Sequence, residues 1–229
     1  MVQKGTLVVV VAHDDDAILG SGAFIRRCLE AGWRVLVVIC TDGRTSHKAV
    51  FSTDDPSMEE VARRRKEEAR HAYEILGVKE LRYLDLPKGE GRVWQNREEA
   101  KRQLQKIIEE EKPNTILTHF PDAHPDHRAV AEVVSEIVGK EIEILRFSVW
   151  RKELSQGRRE ISSEFEIELP SPKLTIYPTA EEQKKKRLAL FQMRSQVMNW
   201  PYPHWPVQEG PILEKMFLEF FLENPEIFF

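Results

Sequence analysis

Residues 6–16 read Thr-Leu-Val-Val-Val-Val-Ala-His-Asp-Asp-Asp, and this stretch decides the fold. Its first part, Thr6–Ala12, is an unbroken apolar, β-branched run. A strand covered on both faces reads this way, and such strands belong to parallel sheets with helices on either side. The run then breaks into one histidine and three aspartates, which marks a strand end. Downstream, Ser21–Ala31 places Phe24, Ile25, Cys28 and Leu29 on one helical face and stops at Gly32. Arg34–Cys40 is a second buried strand. The three pieces form a βαβ unit, which nearly always closes as a right-handed crossover.

The alternation continues. Thr41–Ser57 reads as a long polar loop, Met58–Leu76 as a helix ended by Gly77, and Leu81–Leu84 as a short strand. Lys88–Gly91 reads as a loop and Arg97–Glu111 as a charged amphipathic helix stopped by Pro113. Thr115–His119 is a fourth strand and Arg128–Val138 a further helix. The expected fold is α/β: a Rossmann-like, mostly parallel sheet flanked by helices. After Glu141 the pattern weakens. Ile142–Trp150, Ser163–Leu169 and Lys173–Tyr177 read as a small antiparallel section in the C-terminal half. Glu181–Met198 reads as one long helix with Lys184–Arg187 on a solvated face. The Pro- and aromatic-rich tail Trp200–Phe229 reads as a cap on the core or a subunit interface. The chain is taken as one domain over 1–229, with the Rossmann-like core and its site in 1–140 and a smaller section in 141–229.

A chain of 229 residues, 41% hydrophobic, can bury a core of that size. Its 34 basic and 38 acidic side chains lack the basic field a general nucleic-acid binder needs. No apolar run reaches the roughly 18–20 residues of a membrane span. Leu7–Ala12 is too short for an export signal and ends in carboxylates. Cys28 and Cys40 lie in apolar stretches and read as buried hydrophobes rather than a disulfide framework. These features lead us to expect a cytoplasmic protein with no nucleic-acid partner and no integral membrane segment, and the aromatic tail a homo-oligomer.

Two clusters carry chemistry. One is Ala12-His13-Asp14-Asp15-Asp16; the other is Asp122-Ala123-His124-Pro125-Asp126-His127. Each follows a buried strand and precedes a helix. Ligands of open parallel sheets bind beyond the carboxyl ends of the strands, so the two clusters can face one another across one crevice. Imidazole and carboxylate together suit zinc, which in catalytic sites keeps three protein ligands and an open position. Activating water calls for a further carboxylate near the metal but not on it. Charge developing on an attacked amide oxygen calls for a donor. Taken singly, three aspartates before a helix suit a cap, and His-Pro-Asp-His suits a turn. Their joint placement after buried strands is what points to a site.

Ala12-His13-x-Asp15-Asp16-x-x-x-Gly20, followed about a hundred residues later by His124-Pro125-Asp126-His127, resembles the LmbE-like (PIG-L type) deacetylase family. Cys40-Thr41-Asp42-Gly43, the spacing Arg65-x-x-Glu68-x-x-x-Ala72-x-x-x-Leu76-Gly77 and the late Ser195-Gln196 pair agree with it. The resemblance implies a zinc-dependent hydrolase that removes the acetyl group from an N-acetylglucosamine-type sugar or glycoside, with one zinc per chain. It implies His13, Asp16 and His127 as ligands and Asp15 as general base. It implies that His124 stabilises the transition state or donates a proton, that Asp126 orients His124, where its carboxylate would favour the protonated imidazole, and that Arg65 holds substrate.

Three positions depart from the family pattern. Asp14 stands where proline is common and brings negative charge beside the metal. Ala17 replaces a common glutamate. Met193 takes the place of an aromatic donor found in some relatives, for which Tyr177, Tyr202 and His204 are candidate replacements. His47 and His119 read as a loop and a strand-end residue, and Asp42 and Asp85 as caps or contacts to sugar hydroxyls. Trp94, Trp200 and Trp205 read as sugar platforms or buried anchors. Competing readings are a phosphoesterase-like metal hydrolase, a non-catalytic sugar-binding relative and a nucleotide-binding module. Carboxylates where a phosphate would sit argue against the last.

Overall fold

The computed structural model describes residues 5–51, 55–84, 86, 92–150, 169–199, 201–202 and 210–229. The expected loop Lys88–Gly91, the strand Ser163–Leu169 apart from Leu169, and Asp85, Trp200, His204 and Trp205 lie outside them.

The first strand, β1 (Thr6–Val11), is the centre of a five-stranded parallel sheet. It pairs with β2 (Arg34–Ile39) on one side and β4 (Thr115–His119) on the other. β3 (Glu80–Tyr83) and β5 (Glu143–Phe147) form the edges, giving the order β3-β2-β1-β4-β5. The unbroken apolar run follows from this central place, because successive side chains point to opposite faces and both faces are covered. Leu7, Val9 and Val11 enter one core; Val8, Val10 and Ala12 enter the other. The first core is covered by α1 (Asp16–Glu30), α3 (Met58–Leu76) and C-terminal elements. The second is covered by α4 (Arg97–Glu111) and α5 (Pro125–Ile137). The chain order reverses between β1 and β4, so the crevice at their carboxyl ends is the switch point of the sheet.

Four expectations change. The expected loop Thr41–Ser57 contains a short helix, α2 (Ser46–Phe51). The first half of Ile142–Trp150 is β5, which runs parallel to β4 rather than antiparallel. The antiparallel section is instead β6 (Leu174–Ile176) paired with β7 (Glu226–Phe228) from the tail. The late helix divides into α6 (Ala180–Leu190) and α7 (Arg194–Val197). Between β6 and these helices, Thr179 and Glu182 form a reciprocal capping box that starts α6. The tail caps the first core through Phe217, Leu218, Phe221 and Leu222 of α8 (Lys215–Glu223).

Two features tie the C-terminal elements to the motif helix α1. Gly20 lies against the Phe147 ring, and a Cβ there would sit 2.1 Å from Phe147 Cδ2. α1 also bends at Ser21, which has φ −152°, and the Ser21 hydroxyl donates back to the Ala17 carbonyl at 2.7 Å. Such back-bonding bends helices. The bend frees the N–H groups of Ala23 and Phe24, and the Glu226 carboxylate of β7 accepts both at 2.8 and 2.9 Å. Lys186 Nζ lies 2.8 Å from Glu226 Oε1, so this lysine is buried rather than solvated as expected.

Candidate functional site

The two clusters meet at the switch point. His13 leaves the end of β1, Asp15 caps α1 and Asp16 is its first residue. His124 caps α5, and Pro125 opens that helix, where its missing N–H costs nothing. Helix geometry then turns His127 inward beside His13 and Asp16.

The three expected ligands present one donor atom each to a common point. His13 Nδ1 and His127 Nε2 each lie 3.3 Å from Asp16 Oδ2 and 3.4 Å from one another. Bonds of about 2.0–2.1 Å at tetrahedral angles set donor atoms about 3.3–3.4 Å apart, so this near-equilateral triangle matches one face of a zinc tetrahedron. Electrostatics agree. Burial pushes His13 and His127 down, but carboxylates outweigh it, raising His13 to about 9 and His127 to about 10. Two protons on nitrogens 3.4 Å apart repel. One divalent cation satisfies the same carboxylates while leaving both rings neutral. The donor set therefore fits zinc.

Each candidate histidine ligand is backed by a carboxylate. His127 Nδ1 donates to Asp122 at 2.9 Å, and His13 Nε2 lies 3.7 Å from Asp126 Oδ2. Carboxylates in such places fix the tautomer and orientation of metal-binding imidazoles. Asp122 was assigned no role from sequence. Its carboxylate also accepts the backbone N–H groups of His124, Val149 and Trp150 at 2.9–3.0 Å. Its place five residues before His127 in the quoted motif was the available signal.

Asp126 requires a correction. It was expected to orient His124, but its carboxylate accepts from the Val93 N–H at 2.7 Å and faces His13. What reaches His124 is the Asp126 backbone N–H, which donates to Nδ1 at 3.2 Å. The cause is the N-cap geometry of α5, in which the cap side chain accepts an N–H of the first turn. With Nδ1 accepting, the proton of a neutral His124 resides on Nε2. Burial, reinforced by His13 and His127, holds His124 well below the usual histidine range, which favours a neutral Nε2–H donor over an imidazolium. Its ring centroid is 4.7 Å from that of His13 and 4.8 Å from that of His127.

Asp15 is buried beside the triad. Burial, with Asp14 and Asp16 adding to it and Arg65 opposing, raises its carboxyl to about 6. A base near that value is well matched to accepting a proton around neutral pH. Arg65, expected at substrate, is 3% exposed. Its Nε and one terminal nitrogen bind the Asp14 carboxylate, and the other donates to Gln196 Oε1 at 2.9 Å. Asp14 therefore brings no uncompensated charge to the site. The Tyr202 hydroxyl is given to Glu68 at 2.6 Å, and the Tyr177 side chain is 73% exposed. Met193 is fully buried in the first core.

Two residues set aside from sequence belong nearby. His119, at the end of β4, is fully buried and stacks on His127 with centroids 3.8 Å apart. Trp94, in the turn Val93–Gln95 whose N–H groups face Asp126, is 50% exposed. His47 is buried in α2, and Asp42 pairs with Arg44 at 2.9 Å.

The family model described as PIG-L, GlcNAc-PI de-N-acetylase, matches residues 8–138, more than half of the chain. Diacetylchitobiose deacetylase of Thermococcus kodakarensis is 32% identical over 127 residues, covering 53% of this chain and 45% of the relative. The chain matches about half the length of the curated relatives. Among solved structures, N,N'-diacetylchitobiose deacetylase from Pyrococcus horikoshii superposes with a TM-score of 0.71 at 20% identity, covering 99% of this chain and 84% of that one. The 4-carboxy-2-hydroxymuconate hydratase GalB from Pseudomonas putida KT2440 gives 0.63 at 21% identity, covering 84% and 80%. One fold thus carries both a deacetylase and a hydratase, and the choice between chemistries rests on the side chains.

Proposed function

This chain belongs to the PIG-L family, and from that premise we propose that it is a zinc-dependent deacetylase hydrolysing the N-acetyl group of an N-acetylglucosamine-type sugar or glycoside. The observation that carries the reading is the triangle of His13 Nδ1, Asp16 Oδ2 and His127 Nε2, with sides of 3.3–3.4 Å, next in the chain to the buried carboxylate of Asp15, which is not one of its corners.

His13, Asp16 and His127 would hold the ion. When bound, zinc supplies a Lewis acid at the amide oxygen and lowers the pKa of water. Asp15 takes a proton from the attacking water. The water oxygen bonds to the acetyl carbon, and the carbonyl electron pair moves onto oxygen. His124 Nε2–H meets that oxyanion as a neutral donor. The C–N bond then breaks, and the amine leaves with the proton that Asp15 accepted; the acid product keeps the second water proton and passes it to the amine, so acetate and the protonated amino sugar are the products. Asp122 and Asp126 orient His127 and His13. The same donor set disfavours a phosphoesterase built on magnesium, which prefers oxygen ligands.

Amine release from N-acetylglucosamine, its oligomers and its glycosides, by chelated protein with zinc restored, tests the reading. Asp15→Asn should retain zinc and lose about 10²–10⁴-fold in turnover. Turnover within a few-fold of wild type would remove Asp15 as the base. Zinc content unchanged in His127→Ala would remove the ligand assignment.

A further inference from the structure

We infer that His119, which lies outside the ligand set, is a positioning residue that holds the two strand ends together around the metal. The inference rests on the reading of His13, Asp16 and His127 as ligands. His119 closes β4, and its ring is completely buried. Its Nε2 accepts the backbone N–H of Ala12 at 2.9 Å, and Ala12 leads directly into His13. One face of the ring lies on His127, with planes within 14° of parallel. Phe147 lies 5.3 Å away at 48°. A single imidazole therefore touches both halves of the site: the chain that feeds His13 and Asp16, and the ring of His127.

Distance alone makes His119 resemble a ligand, because Nε2 is 3.2 Å from Asp16 Oδ2 and groups with Asp16 and His127. The hydrogen bond excludes that role. An imidazole nitrogen has one in-plane lone pair, and the Ala12 N–H occupies it. A backbone amide only donates, so Nε2 is the bare nitrogen and Nδ1 carries the proton. Nδ1 is buried and has no partner among the described residues. Unmatched buried donors are rare and call for a reason. An apolar ring would fill the same space without that penalty, but it would lose the acceptor that holds Ala12. The combination of acceptor and flat ring is what this position requires.

The test uses the purified full chain as wild type, His119→Gln, His119→Phe and His127→Ala. Gln keeps an acceptor and loses the stack; Phe keeps the stack and loses the acceptor. Zinc affinity is read by chelator competition, and ligand geometry by the visible absorption of the cobalt(II)-loaded protein, with circular dichroism confirming the fold. We expect each His119 variant to bind one ion about 10–100-fold more weakly, the usual cost of losing an outer-shell partner, with a shifted cobalt band. Wild-type affinity and spectrum in a folded variant would reduce His119 to a core residue. Binding abolished in both, as expected for His127→Ala, would make it a ligand and equally overturn the inference. If one variant fails to fold, the other decides. Normal binding by His127→Ala would instead show that the ligand reading had failed.

Discussion

Replacing Asp122 with asparagine sets the fold and the metal site against each other. The carboxylate is fully buried and accepts four N–H groups: His127 Nδ1 and His124 N near one oxygen, Val149 N and Trp150 N on the other. An amide offers one oxygen and one NH₂. If the oxygen stays toward His127 and His124, the NH₂ confronts two backbone donors. Each buried donor left unmatched costs about 1–3 kcal/mol, so this arrangement loses about 2–6 kcal/mol. Against a total stability of about 5–15 kcal/mol that is large, and at about 2–4 °C per kcal/mol it lowers the melting temperature by roughly 5–20 °C. If the amide flips, its NH₂ donates to His127 Nδ1 and drives that proton to Nε2. Nε2 is the atom facing His13 and Asp16, and once protonated it has no lone pair for a metal. Asp122→Asn must therefore lose either folding stability or zinc affinity. Urea unfolding of the metal-free protein reads the first, and chelator competition reads the second. A variant that matches wild type in both would refute the placement of Asp122 behind a ligand.

Other expectations follow from single contacts. His124→Ala should bind zinc normally, keep KM within a few-fold and lower kcat by about 10²–10³-fold in steady-state amine release; loss of zinc would make His124 a ligand. Gly20→Ala places a methyl group against the Phe147 ring and should destabilise the protein by about 1–3 kcal/mol in thermal melts, whereas an unchanged melting temperature would mean that the ring yields freely. Glu182 accepts from Arg27 Nε at 2.6 Å, and this hydrogen bond holds its carboxyl at about 2, below the ordinary 4.5. A depressed folded-state pKa contributes stability above 4.5 that is lost as pH falls toward 2. The stability gap between wild type and Glu182→Gln should therefore be widest near neutral pH and close in acid, and a gap independent of pH would contradict the pairing.

What was legible in the sequence follows from how each element is buried. β1 and β4 are covered on both faces, so their apolar runs needed no neighbours to interpret. β5 alternates because it is an edge strand, but alternation reports covering on one face and says nothing of direction, which is why its parallel pairing was missed. α2 spans six residues, too few for a helical period to emerge from a polar stretch. In the tail, Phe217, Leu218, Phe221 and Leu222 do show helical spacing, but the surrounding prolines and aromatics masked it. The two clusters were readable because histidine and aspartate stand together directly after buried strands; which of their members would hold a metal came from the family resemblance. Which carboxylate backs which imidazole was not readable, because that depends on the direction in which cap residues of α5 project.

Asp14 shows how a departure from the family pattern acquires a physical reason. The expected consequence was extra negative charge beside the metal, but the structure gives that charge to Arg65 in a pair buried on both sides. Removing one member of such a pair leaves the other uncompensated and typically costs about 3–5 kcal/mol, so Arg65 cannot swing toward a substrate without stranding Asp14. The approach of the guanidinium also depends on Gly43, at φ 64°, where a Cβ would lie 2.5 Å from Arg65 Nε. From Arg65 the contacts continue to Gln196, whose amide donates to the Ser195 hydroxyl at 3.0 Å. Ser195 in turn donates to Glu68 at 2.6 Å. The segments Cys40–Gly43, Arg65 with Glu68, and Ser195–Gln196 are far apart in the chain and matched the family separately. In space Arg65, Gln196, Ser195 and Glu68 form one buried, hydrogen-bonded chain that reaches Asp14, with Gly43 packed against Arg65. Their joint presence accords with holding the segment Asp14–Asp16 through the Arg65–Asp14 pair.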